Sequence, residues 1–140
     1  MAFKMKILVI DGQGGRIGCR LIEYIKENLP GAVITAVGTN SIATANMLKS
    51  GADHGATGEN PVVVCSRDAD YIIGPLGIVL ADSMLGEVTE RMASAVARSS
   101  AKRILIPVNR CDTMIAGAAE LSPSDLIAEA LKIIINNYTP

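Results

Sequence analysis

Hydrophobic and polar positions along this chain alternate between two periods. Lys6-Ile7-Leu8-Val9-Ile10 is a short, continuous apolar run, the mark of a strand buried on both faces. It breaks off in Asp11-Gly12-Gln13-Gly14-Gly15. Beyond that point Ile17, Leu21, Ile22 and Ile25 recur at helical spacing, with Arg20, Glu23, Lys26 and Glu27 on the opposite side. Leu29-Pro30-Gly31 stops the helix. A second apolar strand over 32–37 ends at Gly38-Thr39-Asn40-Ser41. There Asn40 or Ser41 caps a helix faced by Ala43, Ala45, Met47 and Leu48, with Gly51 beyond its end. The stretch from Asp53 to Pro61 reads as a loop. Residues 62–68 are valine-rich, as a strand would be. They follow Asn60-Pro61, a cap and first-turn pair, and lie too near the next strand for a parallel crossover, so they are read as helix.

The alternation continues to the end of the chain. Tyr71-Ile72-Ile73 is a strand closing at Gly74-Pro75-Leu76-Gly77, and a helix is predicted over 83–99 from the stripe Leu85, Val88, Met92, Val96. Residues 103–107 form a buried strand ending at Val108-Asn109, and 113–116 a short edge strand. In the last helix Ser122 caps, Pro123 starts and Asp125 completes a capping box, ahead of the apolar face Leu126, Ile127, Ala130, Leu131, Ile134. Strands alternating with helices imply an α/β, Rossmann-like, doubly wound fold: a mainly parallel sheet, right-handed crossovers and helices on both faces. With no linker, repeat or low-complexity stretch, residues 1–140 are read as a single Rossmann-like domain.

Composition narrows the class of protein. Apolar residues make up 49% of the chain, charged residues 19% and aromatics 3%, so the core is aliphatic. So apolar a small domain has more surface to cover than it can fold away, which predicts a homo-oligomer, a dimer first. The net charge is -1 with no basic run, and few rings are available to stack on bases, which excludes nucleic acid as a partner. Cys19, Cys65 and Cys111 have no C-x-x-C spacing, and His54 is the sole histidine. No metal site is expected, and the cysteines read as reduced, cytoplasmic thiols. No signal peptide is apparent, and the uncharged run 71–81 is too short to span a membrane.

Ligands of such folds bind outside the carboxyl ends of the strands. Here those ends carry Asp11 to Gly15, Gly38-Thr39-Asn40, Gly74-Pro75-Leu76-Gly77 and Asn109. Gly12, Gly15 and Gly18 form a G-x-x-G-x-x-G spacing between a buried strand and an amphipathic helix. That pattern permits a tight turn, backbone approach to a phosphate, and close helix packing. The helix start offers free N–H groups and a positive dipole end, with Arg16 in the first turn. The cofactor-binding set is therefore Gly12, Gln13, Gly14, Gly15, Arg16, Ile17, Gly18, Gly38, Thr39, Asn40, Gly74, Pro75 and Gly77. Two features depart from a dinucleotide pattern. The end of the second strand carries Gly38-Thr39-Asn40-Ser41 where NAD binders place an acid on the ribose. Asp11 would repel a phosphate; alternatively it caps the helix. For chemistry, Glu59 is the candidate general base with His54 as acid, and Asp11 and Asn109 are further candidates; alternatively Glu59 and Asn60 only start a helix.

The run from Ile7 to Leu21 resembles the NADPH loop of dihydrodipicolinate reductases, which implies cofactor contacts by Gly12, Gly15, Arg16 and Gly18. Nothing later resembles those enzymes' catalytic domain. Over most of its length, through DGQGGRIG, GTNSIATANMLKSGA, GATGEN, IIGPLGIV and ILIPVN, the chain resembles an uncharacterised bacterial family of this size, a domain of unknown function. Three readings stay open: a protein binding a nucleotide, NAD(P) first, at the glycine-rich loop; an enzyme on a small phosphorylated or carboxylated metabolite at a subunit interface; and a non-catalytic sensing or interaction module.

Overall fold

The computed structural model describes residues 4–108 and 112–137. The elements are β1 (Lys6–Asp11), α1 (Arg16–Asn28), β2 (Val33–Gly38), α2 (Ser41–Lys49), β3 (His54–Thr57), α3 (Glu59–Cys65), β4 (Tyr71–Pro75), α4 (Glu90–Arg98), β5 (Lys102–Ile106) and α5 (Pro123–Asn137), with a short 3-10 turn at Leu76–Val79. All five strands are parallel, in the order β3-β2-β1-β4-β5. From β1 the chain winds outward through β2 to β3, then returns to the other side of β1 and continues through β4 to β5. The winding direction therefore reverses between β1 and β4, where doubly wound folds open a crevice at the strands' carboxyl ends.

Period-two alternation splits β1 between two cores. Ile7 and Val9 face α1, α2 and α5, where they meet Leu21, Ile25, Met47 and Ile127. Leu8 and Ile10 face α3 and α4, where they meet Val62, Met92 and Val96. Both layers are aliphatic, as an α/β sheet covered by helices on both faces requires. The resulting fold is α/β and doubly wound, in a single domain. Among the described residues no helix is long and apolar enough to cross a membrane.

Three expectations change. Residues 54–57, expected as loop, form the edge strand β3. Its burial pattern has no apolar face, and only its pairing with β2 defines it. The expected helix over 83–99 begins at Glu90, where Thr89 accepts the Met92 N–H at 3.1 Å as cap. Ahead of it, residues 80–88 form a loop with Asp82, Met84 and Leu85 left-handed, at φ of 66°, 57° and 57°. Residues 113–116 form no strand, and Met114 is 94% exposed. The helical reading of 62–68 holds in type but sits earlier, with Gly58 rather than Asn60 before the first turn. Ser122 does accept the Asp125 N–H at the start of α5, at 3.2 Å.

Candidate functional site

In-register pairing sets Asp11, Gly38 and Thr57 side by side at the carboxyl edge of the sheet, and Pro75 beside Ile106. The first feature built there is the glycine turn. Asp11 is buried at 5% exposure and accepts N–H bonds from Gly12 and Gly18, both at 2.8 Å, and from Ile17. Its carboxylate thus caps α1 from the end of β1. Burial pushes this carboxyl above its ordinary value; the Gly18, Gly12 and Ile17 N–H groups oppose the shift, and the charge of Glu87 adds to it. Gly15 is left-handed at φ 72°, and a Cβ on it would lie 3.0 Å from the Ala43 carbonyl oxygen. Gly18 gives way to the Met47 sulfur of α2. Both glycines serve packing. Gly14 differs, because nothing lies within 4 Å of where its Cβ would be. Arg16 is exposed beside it.

The second feature is the 80–88 loop, which folds back over this turn. Asp82 donates its N–H to Val88 at 2.7 Å, and Ser83 donates its hydroxyl to the Gly77 carbonyl at 2.5 Å. The loop thereby carries Glu87 to the ends of β1 and β2. One oxygen of Glu87, Oε1, accepts three hydrogen bonds: the Gln13 N–H at 2.8 Å, the Thr39 hydroxyl at 2.6 Å and the Asn40 amide at 2.8 Å. Burial works to raise this carboxyl, but the bonds from Thr39, Gln13 and Asn40 outweigh it and hold it below its ordinary value. A Cβ on Gly12 would meet Thr39 Oγ1 at 2.5 Å, Met84 Sδ at 2.6 Å and Glu87 Oε1 at 3.0 Å. Gly12 is therefore glycine because this chain's own loop closes on it.

The third feature is a cleft of about 380 Å³ lined by Asp11, Gly12, Gln13, Ile17, Pro75, Met84, Leu85 and Val108. It lies between β1 and β4, at the reversal of winding. Its walls are largely apolar, and Leu85 at its mouth is 98% exposed. Gly74 is closed to any larger residue by the Ile10 carbonyl oxygen, and a Cβ on Gly77 would lie 3.0 Å from Ser83 Oγ; neither glycine lines the cleft itself. Gly38 likewise has Thr44 and Asn40 against it, while the Asn40 carboxamide oxygen caps α2 through the Ala43 N–H at 2.9 Å.

The sequence-derived site residues thus divide. Asp11, Gly12, Gln13, Ile17 and Pro75 meet in the cleft, and Thr39 and Asn40 are bonded to Glu87 at the same turn. Glu59 lies elsewhere, at the start of α3. It accepts the Thr89 hydroxyl at 2.7 Å, approaches Arg91 at 3.9 Å, and lines an open depression of about 740 Å³ with Thr89, Arg91, Ser94 and Arg98. His54 opens β3 at its amino end, opposite Thr35, at the far end of the strand from Glu59. The strand His54–Thr57 therefore separates the two candidates, and the structure does not bring His54 and Glu59 together in one pocket among those lined by described residues. Asn109 lies outside the described residues.

Sequence reasoning missed Glu87, Met84 and Leu85. The signal that a loop stands there was present in Gly86, which interrupts the first turn of the supposed helix, and in Thr89, a capping residue three before Met92.

No curated protein matches the chain. Among solved structures, similar ones include a dodecameric FMN-dependent UbiX-like decarboxylase from Escherichia coli O157:H7, at 18% identity and a TM-score of 0.48 over 94% of this chain and 75% of that one. Another is a universal stress protein from Archaeoglobus fulgidus, at 17% identity and a TM-score of 0.40 over 74% of this chain and 98% of that one. Neither likeness carries a ligand or an activity to this chain. The model of a family described as a domain of unknown function, DUF3842, matches residues 6–139, and the chain belongs to that family.

Proposed function

We propose that this protein binds a nucleotide across the glycine turn, and that a pyridine dinucleotide, NAD(P), is the ligand. The carrying observation is the cleft between β1 and β4, which opens beside the turn at the reversal of strand order. Its apolar walls suit the flat face of a ring, with the Asp11 and Gln13 side offering polar contact. Asp11 and Glu87 already occupy most N–H groups of the turn. The diphosphate is therefore assigned to the open face of Gly14 and to the guanidinium of Arg16.

A thermal-shift panel of NAD(H), NADP(H), FMN, ATP and S-adenosylmethionine tests the reading. A ligand at about 100 times its dissociation constant adds roughly 2.7 kcal/mol to stability, a rise of several degrees in Tm for a domain of this size. A flat response to every dinucleotide would sink the proposal.

A second reading rests on the Glu59 depression, where Arg91 and Arg98 stand beside a carboxylate held by Thr89. That arrangement suits a small phosphorylated or carboxylated metabolite. Glu59→Gln would then abolish turnover of that metabolite with binding retained; equal turnover by the variant refutes it. Self-association is favoured by Ile42, Leu85 and Met114, which are 66%, 98% and 94% exposed. A monomer in sedimentation equilibrium would overturn that part.

A further inference from the structure

In the linear sequence the end of β2 reads Gly38-Thr39-Asn40-Ser41, with no acid to meet a ribose. In three dimensions a carboxylate stands at that place all the same. It belongs to Glu87, which lies 48 residues beyond Thr39 and 47 beyond Asn40 and is bonded to both.

The geometry of that carboxylate is one-sided. Its Oε1 is saturated by three donors, at 2.6 to 2.8 Å. Its Oε2 meets no donor among the described residues, and it is not among the buried atoms that lack a partner, so it faces solvent. The donors holding Oε1 are themselves fixed by other bonds. Asn40 caps α2 through Ala43 and donates to the Gln13 carbonyl at 2.9 Å. The Thr39 N–H is bonded to the Asp11 carbonyl at 3.0 Å. The carboxylate is therefore held in one orientation, with a free, charged acceptor at the mouth of the β2–α2 turn. A preset acceptor of this kind matches a hydroxyl donor, and its charge opposes a phosphate placed there.

We infer that Glu87 supplies from the 80–88 loop the ribose-recognising carboxylate that the end of β2 lacks, and that it selects a ligand whose ribose bears a free 2′-hydroxyl. This rests on the dinucleotide reading above and sharpens it: the protein takes NAD and rejects NADP. Met84, which lines the cleft, and Glu87 both stand against Gly12, so the two ends of a dinucleotide are read from neighbouring positions around the glycine turn. In this role Glu87 contacts ligand directly and is a specificity-determining residue.

The test is isothermal titration of NAD and of NADP into wild-type protein, Glu87→Gln and Glu87→Ser. Glutamine can accept the same three donors through its carbonyl oxygen but places an amide where Oε2 stood, so it keeps the fold and removes the acceptor. Wild type is expected to bind NAD at least about tenfold more tightly than NADP, the scale of one hydrogen bond to a charged group. Glu87→Gln should lose most of that preference while still unfolding in one cooperative transition, and Glu87→Ser should erase or invert it. Equal affinities in wild type, or an unchanged NAD-to-NADP ratio in Glu87→Gln, would overturn the role of Glu87 while leaving dinucleotide binding intact. Failure of both dinucleotides to bind wild type would overturn the dinucleotide reading and this inference with it. Tighter binding of NADP by Glu87→Gln with NAD unchanged would overturn hydroxyl recognition alone, leaving Glu87 as a charge that excludes phosphate.

Discussion

Two segments meet over Gly12, and they hold their shapes by different balances of means. The 11–15 turn is mainly local: the Asp11 carboxylate reaches seven residues along to Gly18, and a glycine takes the left-handed N-cap position at residue 15. Gln13 is left-handed too, at φ 50°, and Asn40 and Asn46 donate to the Gln13 and Gly14 carbonyls. The 80–88 loop places Asp82, Met84 and Leu85, none of them glycine, in the left-handed region. It is held there by its own cross-links and by Glu87, whose partner Gln13 lies 74 residues away. A turn made from its own residues keeps its form wherever it is placed. A loop made by tertiary bonds keeps its form only while those bonds last, and segments of the second kind are the ones that move.

The largest test of that contrast is in the turn. Gly15→Val forces a β-branched residue to φ 72° and drives Cβ to 3.0 Å from the Ala43 carbonyl, which should cost about 2–4 kcal/mol in a urea titration. Gly14→Ala, with open space around it, should stay within about 0.5 kcal/mol of wild type. If the two variants matched, the turn would not be locally determined.

A smaller effect of opposite sign is expected in the loop. Leu85 is almost wholly exposed and left-handed, so Leu85→Gly removes strain and loses little packing. Relief of about 1–2 kcal/mol, less the chain entropy that glycine adds to the unfolded state, leaves a net gain of about 0.5–1 kcal/mol. Destabilisation by this variant would mean that the strain is not there.

The smallest effect is a difference in slope with pH. Glu87 is held below its ordinary value of 4.5, so its contribution is present above that value and is lost as pH falls through the folded value. Asp11 is raised above its ordinary value of 3.8. Its contribution is whole below that value and is lost as pH rises through the folded one. Between about pH 3 and pH 7, the stability gap between wild type and Glu87→Gln should widen with pH, and the gap between wild type and Asp11→Asn should narrow. Parallel curves would contradict the assignment of the two carboxylates to opposite environments.

The same contrast explains what could be read from the chain. Buried strands such as Ile7 to Ile10, the amphipathic α1 and the Ser122–Asp125 cap carry their signals within a few residues, and each is found where expected. β3 carries none, because it is a four-residue edge strand whose Gly55 leaves room for Leu48 and whose only definition is its pairing with β2. The glycine spacing announced the tight turn between β1 and α1 but not the use of every glycine: Gly12 and Gly18 accommodate this chain's own side chains. Glu87 was hidden for a different reason. Its role depends on three donors far away in sequence, and no local pattern around Leu85-Gly86-Glu87 states that.

Met84 gives the closed loop a kinetic meaning. Its sulfur fills the space above Gly12 beside Glu87, so a dinucleotide bound as proposed above would have to displace it. A molecule ready to receive such a ligand is one in which that side chain has swung away, and the observed affinity scales with the fraction of molecules in that state. Methionine turns about three flexible bonds, so that displacement would need a side-chain rotation and not the unfolding of a loop. Association should therefore be slower than diffusion and orientation alone dictate, and it should speed up when residue 84 is shortened, with little change in how long the ligand stays.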